Sequence, residues 1–203
     1  MHFEPDEIYH VYNRGNNKQL IFFNDGNYIF FLKKIRHEWK KYCEILCYSL
    51  IPNHFHFMLM PNKEGCKNII LADIVTHMQN LSKAIGKTLS SNTKAINIQN
   101  HTTGNLFQKK TQAKNLTNIK VDTSYKNEYL LNCFHYIHQN PLLADLVKNI
   151  KDWQYSSYPD YYNLRNGTLC DKNLRINLLS FSETDFQNEE IVNLKKEAIS
   201  KIF

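Results

Sequence analysis

The alternation of apolar and polar residues assigns most of the elements of this chain. The run Ile8-Tyr9-His10-Val11-Tyr12-Asn13-Arg14 is rich in β-branched and aromatic residues, and Gly15-Asn16-Asn17 follows it as a turn would, so a first strand is predicted. Asp25 stands where it can cap a helix whose stripe is Tyr28, Phe31, Leu32, Ile35 and Trp39. A second strand is expected over 44–50 and a third over 54–60, joined into a hairpin at Pro52-Asn53. Ile70, Ile74, Met78, Leu81 and Ile85 recur at roughly helical spacing and predict a second helix over 69–89. The polar, Asn-rich stretch 90–103 reads as a loop. Gly104-Asn105-Leu106-Phe107-Gln108 opens a further strand. A third helix then runs from capping residues among Asp122, Thr123 and Ser124 to about Gln139, with Pro141 just past its end. Its stripe is Tyr129, Leu130, Cys133, Phe134 and Ile137. A short amphipathic helix is expected over 189–203.

The order β-α-β-β-α-β-α implies an α+β architecture, an antiparallel β-sheet sandwiched by α-helices. One domain is expected over 1–160, with a C-terminal extension over 161–203. The 203 residues are 42% hydrophobic and 22% charged, enough apolar side chain to form a core. The net charge of +6 permits nucleic-acid binding without requiring it. No apolar run reaches the ~18 residues of a membrane span, and the first residues lack the features of a secretory leader. The five cysteines, Cys43, Cys47, Cys66, Cys133 and Cys170, include no C-x-x-C pair. A disulfide framework and a zinc ribbon are therefore not expected, and the chain reads as cytoplasmic. With only 6 glycines and no phosphate loop, it does not read as an NTPase or a dinucleotide enzyme.

Candidate chemistry lies in two places. In Ile51-Pro52-Asn53-His54-Phe55-His56-Phe57, a strand turns His54 and His56 to one face and Phe55 and Phe57 to the other. Paired imidazoles start a divalent-metal site, although many such pairs are plain surface histidines. In Phe134-His135-Tyr136-Ile137-His138-Gln139-Asn140-Pro141, Tyr136 and Asn140 are four apart and share a helical face. The carboxamide is a hard ligand suited to Mg²⁺ or Mn²⁺, and the phenol is a possible nucleophile. The chain has 12 tyrosines, most of which must serve packing. His138 is a rival ligand on a different face of the same helix. Arg14, Lys109, Lys110 and Lys114 are candidate phosphate contacts. Tyr12, Phe107 and Trp153 would stack on unpaired bases if exposed, and would be core if not.

These motifs together resemble the single-tyrosine HUH transposases, specifically the REP-associated tyrosine transposase branch of the insertion-sequence-like family. Tyr9-His10-Val11-Tyr12-Asn13-Arg14-Gly15 is similar to that family's first strand, and Ile51-Pro52-Asn53-His54-Phe55-His56 to its HUH motif, two histidines around a bulky apolar residue. Gly104-Asn105-Leu106-Phe107-Gln108 resembles its G-x-L-F-Q segment. Tyr136-Ile137-His138-Gln139-Asn140-Pro141 resembles its Y-I-x-x-N-P helix end, and Asp152-Trp153-Gln154-Tyr155-Ser156-Ser157-Tyr158 the stretch that follows. The likeness spans about 8–160. The insertion-sequence branch usually has Gln where Asn140 stands.

The resemblance implies cleavage of single-stranded DNA next to hairpins. His54, His56 and Asn140 would hold one Mg²⁺ or Mn²⁺, and Tyr136 would form a 5′-phosphotyrosine. A homodimer is a further possibility, because some relatives exchange the tyrosine helix. Three rivals stand beside this reading: a domesticated hairpin-binding protein that does not cut, a replication initiator or relaxase, and an unrelated hydrolase built on H-x-H.

Overall fold

The computed structural model describes residues 1–72, 74–118 and 123–173. Its centre is a four-stranded sheet in the order β2-β3-β1-β6, antiparallel throughout. The strands are β1 (Tyr9–Arg14), β2 (Cys43–Ile51), β3 (His54–Pro61) and β6 (Gln112–Asn115). A separate hairpin pairs β4 (Asn68–Leu71) with β5 (Ile74–Gln79). The helices are α1 (Asp25–Glu38), α2 (Asn80–Asn100), α3 (Thr123–Leu143) and the single turn α4 (Tyr158–Tyr161).

Strand alternation divides the core in two. Val11, Phe55, Phe57 and Leu59 face α1 and α2, where they meet Phe31, Ile35, Trp39, Leu81 and Ile85. Met58 on the other face meets Leu130, Cys133, Phe134 and Ile137 of α3. In β2 a bulge between Ile45 and Cys47 shifts the register, so that Leu46 and Cys47 both join the α3 side. This is the predicted α+β sandwich. Among the described residues no helix is long and apolar enough to cross a membrane.

Several sequence expectations give way. Residues 69–71 and 74–79 belong to β4 and β5 rather than to the start of a helix. A spacing of four, as in Ile70, Ile74 and Met78, satisfies a period of 2 as well as 3.6, and the β-branched content favours the strand. Most of the expected loop at 90–103, up to Asn100, is instead the second half of α2. Its buried stripe continues through Asn92 and Ile96, Asn92 Nδ2 donates to Ile21 O at 3.3 Å, and the helix ends at His101 in the left-handed region. The polar composition of that stretch belongs to the solvent side of a helix.

Gly104 to Gln108 contributes only an isolated bridge from Phe107 to Gly15, and the strand forms later, as β6. Asn24 rather than Asp25 caps α1, accepting from Asn27 N at 3.2 Å. Pro141 lies within the last turn of α3 instead of beyond it. There its missing N–H removes a single ladder bond. The expected helix over 189–203 falls outside the described residues. Beyond 160, Tyr161 donates its hydroxyl to Leu46 O, and Leu169 and Cys170 join the core.

Candidate active site

The hairpin that carries the paired histidines is held at its turn. Ile51 and His54 are partners across Pro52-Asn53. The Pro52 carbonyl accepts from Ile21 N at 2.7 Å and Phe22 N at 3.0 Å, and the Asn53 carbonyl accepts from Gly15 N at 2.8 Å. Glycine is needed at position 15, because a Cβ there would run into the Gln19 carbonyl oxygen. The turn leading into β3 is therefore held by three backbone hydrogen bonds.

α3 lies across β2 and β3 and brings the second motif to the first. Asn140 Oδ1 is 2.9 Å from His54 Nε2, and Asn140 Nδ2 donates to the Tyr136 hydroxyl at 2.9 Å. The Tyr136 ring stands edge-on to His56, with centroids 5.5 Å apart. The His54 and His56 rings are perpendicular at 5.0 Å. Tyr136, Asn140, His54 and His56 thus converge within one chain, although 80 residues separate the nearer histidine from the tyrosine (136 − 56 = 80).

Comparison with models of known protein families finds no match, and comparison with curated proteins finds none either. Among solved structures, the chain is similar to a REP-associated tyrosine transposase bound to a REP hairpin, with a TM-score of 0.53. The match covers 84% of this chain and 92% of that one at 15% identity. The chain has that transposase's fold.

Burial sets the electrostatics of the site. It lowers the His54 imidazole to about 4, with the Asn140 contact opposing and Arg14 assisting. It holds His56 well below the ordinary histidine range, helped by His10 and His54. Both rings are therefore neutral at pH 7, the form that binds metals. Burial also raises the Tyr136 phenol far above its usual value, partly offset by the Asn140 amide donated to it. The nucleophile candidate is a neutral phenol at rest.

Two imidazoles and one carboxamide oxygen make up a donor set that could hold a divalent cation. His54 Nδ1 lies 2.7 Å from Asn53 Oδ1, and its Nε2 lies 2.9 Å from Asn140 Oδ1. Both oxygens are acceptors, while a neutral imidazole has one N–H. One of the two contacts therefore sets a nitrogen lone pair against an oxygen. Among the described residues no group of three or more His, Cys, Asp or Glu side chains forms a metal site. The third donor here is a carboxamide.

His10, quoted above only as part of the first-strand motif, turns out to belong to the site. It is fully buried, and its Nε2 is 2.8 Å from His56 Nδ1. That bond fixes the orientation of the His56 ring, and metal binding through His56 Nε2 would require Nδ1 to carry the proton and donate it to His10. The available signal was strand parity: His10 is two residues from Tyr12 and faces the same side as His56.

His138, the rival ligand, instead bonds Ser157 Oγ through Nε2 at 2.7 Å and packs edge-on against Phe134 at 4.4 Å. Ser157 accepts from Tyr48 N at 2.9 Å, so the 153–158 segment covers the outer edge of β2 and ties it to α3. Phe107 and Trp153 are not exposed stacking residues. Phe107 is buried in the core, and Trp153 donates Nε1 to Leu50 O at 2.9 Å.

The four candidate cations separate. Arg14 and Lys110 border a cavity of about 400 Å³ that opens onto Tyr12, His54, His56 and Tyr136. Lys109 lines a neighbouring cleft along α2. Lys114 sits opposite His10 on β6, over the Tyr129 ring at 5.7 Å.

Proposed function

We propose that this protein is a transposase that cuts and rejoins single-stranded DNA beside hairpins, with Tyr136 as its nucleophile. The observation that carries this reading is the hydrogen-bonded line from the Tyr136 hydroxyl through Asn140 to His54, laid against His56. His54, His56 and Asn140 would hold one Mg²⁺ or Mn²⁺. Bound there, such an ion supplies Lewis acidity, polarising the scissile phosphate and neutralising charge that develops on its oxygens.

The residues of the chain do the rest. Asn140 orients the phenol oxygen by donating to it. Tyr136 oxygen bonds to phosphorus, the bond from phosphorus to the 3′ oxygen breaks, and that oxygen leaves as a 3′-hydroxyl after taking a proton. The phenol proton is released as the new bond forms, because burial keeps the group protonated at rest. The 5′-phosphotyrosine keeps the ester linkage, so a second 3′-hydroxyl can reverse the step and rejoin strands without ATP. Arg14 and Lys110 flank the cavity with positive charge for adjacent phosphates. A hairpin is the proposed partner because the structurally similar transposase was solved bound to one.

The test is to incubate the protein with Mn²⁺ and labelled single-stranded hairpins taken from the flanks of its gene, then run a denaturing gel. A protein-linked label is expected from the native chain, and it should be absent with excess chelator or with Tyr136→Phe. Release of free 5′-phosphate without a protein-linked band would identify a hydrolase instead.

A further inference from the structure

The face of the sheet that carries the histidines is only half used by the site just described. α3 packs its apolar stripe over β2 and β3, against Leu46, Cys47 and Met58. On the β1–β6 side the same face opens into the cavity. Its size of about 400 Å³ is within the ~300–1,000 Å³ range of pockets that take whole small molecules, and exceeds what one phosphate group requires.

The register orders the residues across this floor. Tyr12 stands between His56 on β3 and Gln112 on β6. Its ring stacks on His56 with centroids 5.6 Å apart and is tilted against His10 at 4.7 Å, and it borders the cavity. Gln112 is exposed, and its amide makes a long 3.5 Å contact with Lys110 O. The far wall is pinned in place: Asn13 Nδ2 donates to Gln108 O at 3.1 Å and to Thr111 Oγ1 at 2.9 Å. Arg14 and Lys110 supply cations, and no carboxylate lines the cavity among the described residues. An aromatic ring, a carboxamide and two cations on a rigid floor match the base, the base edge and the phosphates of one unpaired nucleotide.

We infer that the β1–β6 half of this face is a subsite for the unpaired nucleotide adjoining the cleaved phosphate. Tyr12 stacks on its base and Gln112 reads the base edge, making the subsite base-selective. Arg14 and Lys110 hold the flanking phosphates. The inference rests on the single-stranded DNA reading and adds to it where a base is recognised. Double-stranded DNA does not fit this role, because its base faces are already stacked on one another.

The experiment uses the full chain with Tyr136→Phe, without metal. Fluorescent hairpin oligonucleotides carry an abasic residue, or each of the four bases, at successive positions of the single-stranded flank, and anisotropy gives affinity. One position should show a loss of roughly tenfold when its base is removed. That loss should disappear in Tyr12→Ala and Tyr12→Leu, the latter keeping apolar bulk, and survive in Tyr12→Phe. Gln112→Ala should level the preference among the four bases at that position. Binding with no position sensitive to base removal would overturn the subsite, as would an unchanged loss in both Tyr12→Ala and Tyr12→Leu. An unaltered base preference in Gln112→Ala would overturn it too. Failure to bind any hairpin would instead refute the DNA reading beneath it.

Discussion

The two faces of the central sheet are made by the same strands and do opposite things. Toward α1 and α2, β3 presents Phe55, Phe57 and Leu59, all fully buried, and Trp39 closes on Phe57 at 5.0 Å between ring centroids. Toward α3 the alternating residues of β3 are His54, His56 and Met58. There the buried polar atoms are linked side chain to side chain: His10 to His56, His54 to Asn140, Asn140 to Tyr136. The apolar face obtains its stability from close packing, in which a buried polar group without a partner is costly. The polar face rests on that rigid backing, and its imidazoles are held neutral by burial. One strand with a period of two therefore supplies both a foundation and a site, and a defect on either face should have a different signature.

The comparison can be broken most severely from the apolar side. Phe57→Ala removes a ring at the centre of the α1–α2 layer and should destabilise the fold by about 3–5 kcal/mol, read from denaturant unfolding. A loss below about 1 kcal/mol would mean that this layer is not the foundation.

His10→Leu acts on the polar face. It keeps bulk and removes the partner of His56 Nδ1, so Mn²⁺ affinity measured by calorimetry should fall about 10–100-fold. His10→Gln, which can still accept from that nitrogen, should recover part of the loss. Equal affinity in His10→Leu and the native chain would leave His10 as packing alone.

Acid should reach the polar face before the apolar one. His54 titrates near 4 in the folded protein against an ordinary 6.5, and His56 is lowered as well. Between those values the unfolded chain binds more protons, so stability is lost as pH falls from 6.5 toward 4. Thermal melts should drop by several degrees between pH 7 and pH 5. A flat profile would contradict the buried neutral imidazoles.

The smallest effect is expected at the rim of the cavity. Lys110→Ala should lower the salt dependence of single-stranded DNA binding by about 0.7 in the slope of log K against log salt. An unchanged slope would remove Lys110 from the phosphate path.

Most of the site could be read from the sequence because it is built on short, strict periods. The H-x-H pattern on a strand placed both histidines on one face, and the i, i+4 pair on α3 placed Tyr136 beside Asn140. What was not readable depended on tertiary context. Ile70, Ile74 and Met78 fit two periods at once, and only the β-branched content of the stretch leaned toward a hairpin over a helix. Asn92 lies in a stretch whose composition reads as a loop, yet it is fully buried and bonds Ile21 O, a partner supplied from 71 residues away. The role of His10 was hidden for a similar reason, since it exists only through pairing of β1 with β3. Ser157 likewise gains its meaning by meeting His138 and the edge of β2.

The most direct measurement of the central claim is mass spectrometry on the protein–DNA adduct after protease and nuclease digestion. The account predicts that the peptide containing Tyr136, and no other tyrosine peptide, carries a nucleotide through its phenolic oxygen in the presence of Mn²⁺. A nucleotide on another residue, or strand cleavage with unmodified Tyr136, would contradict it.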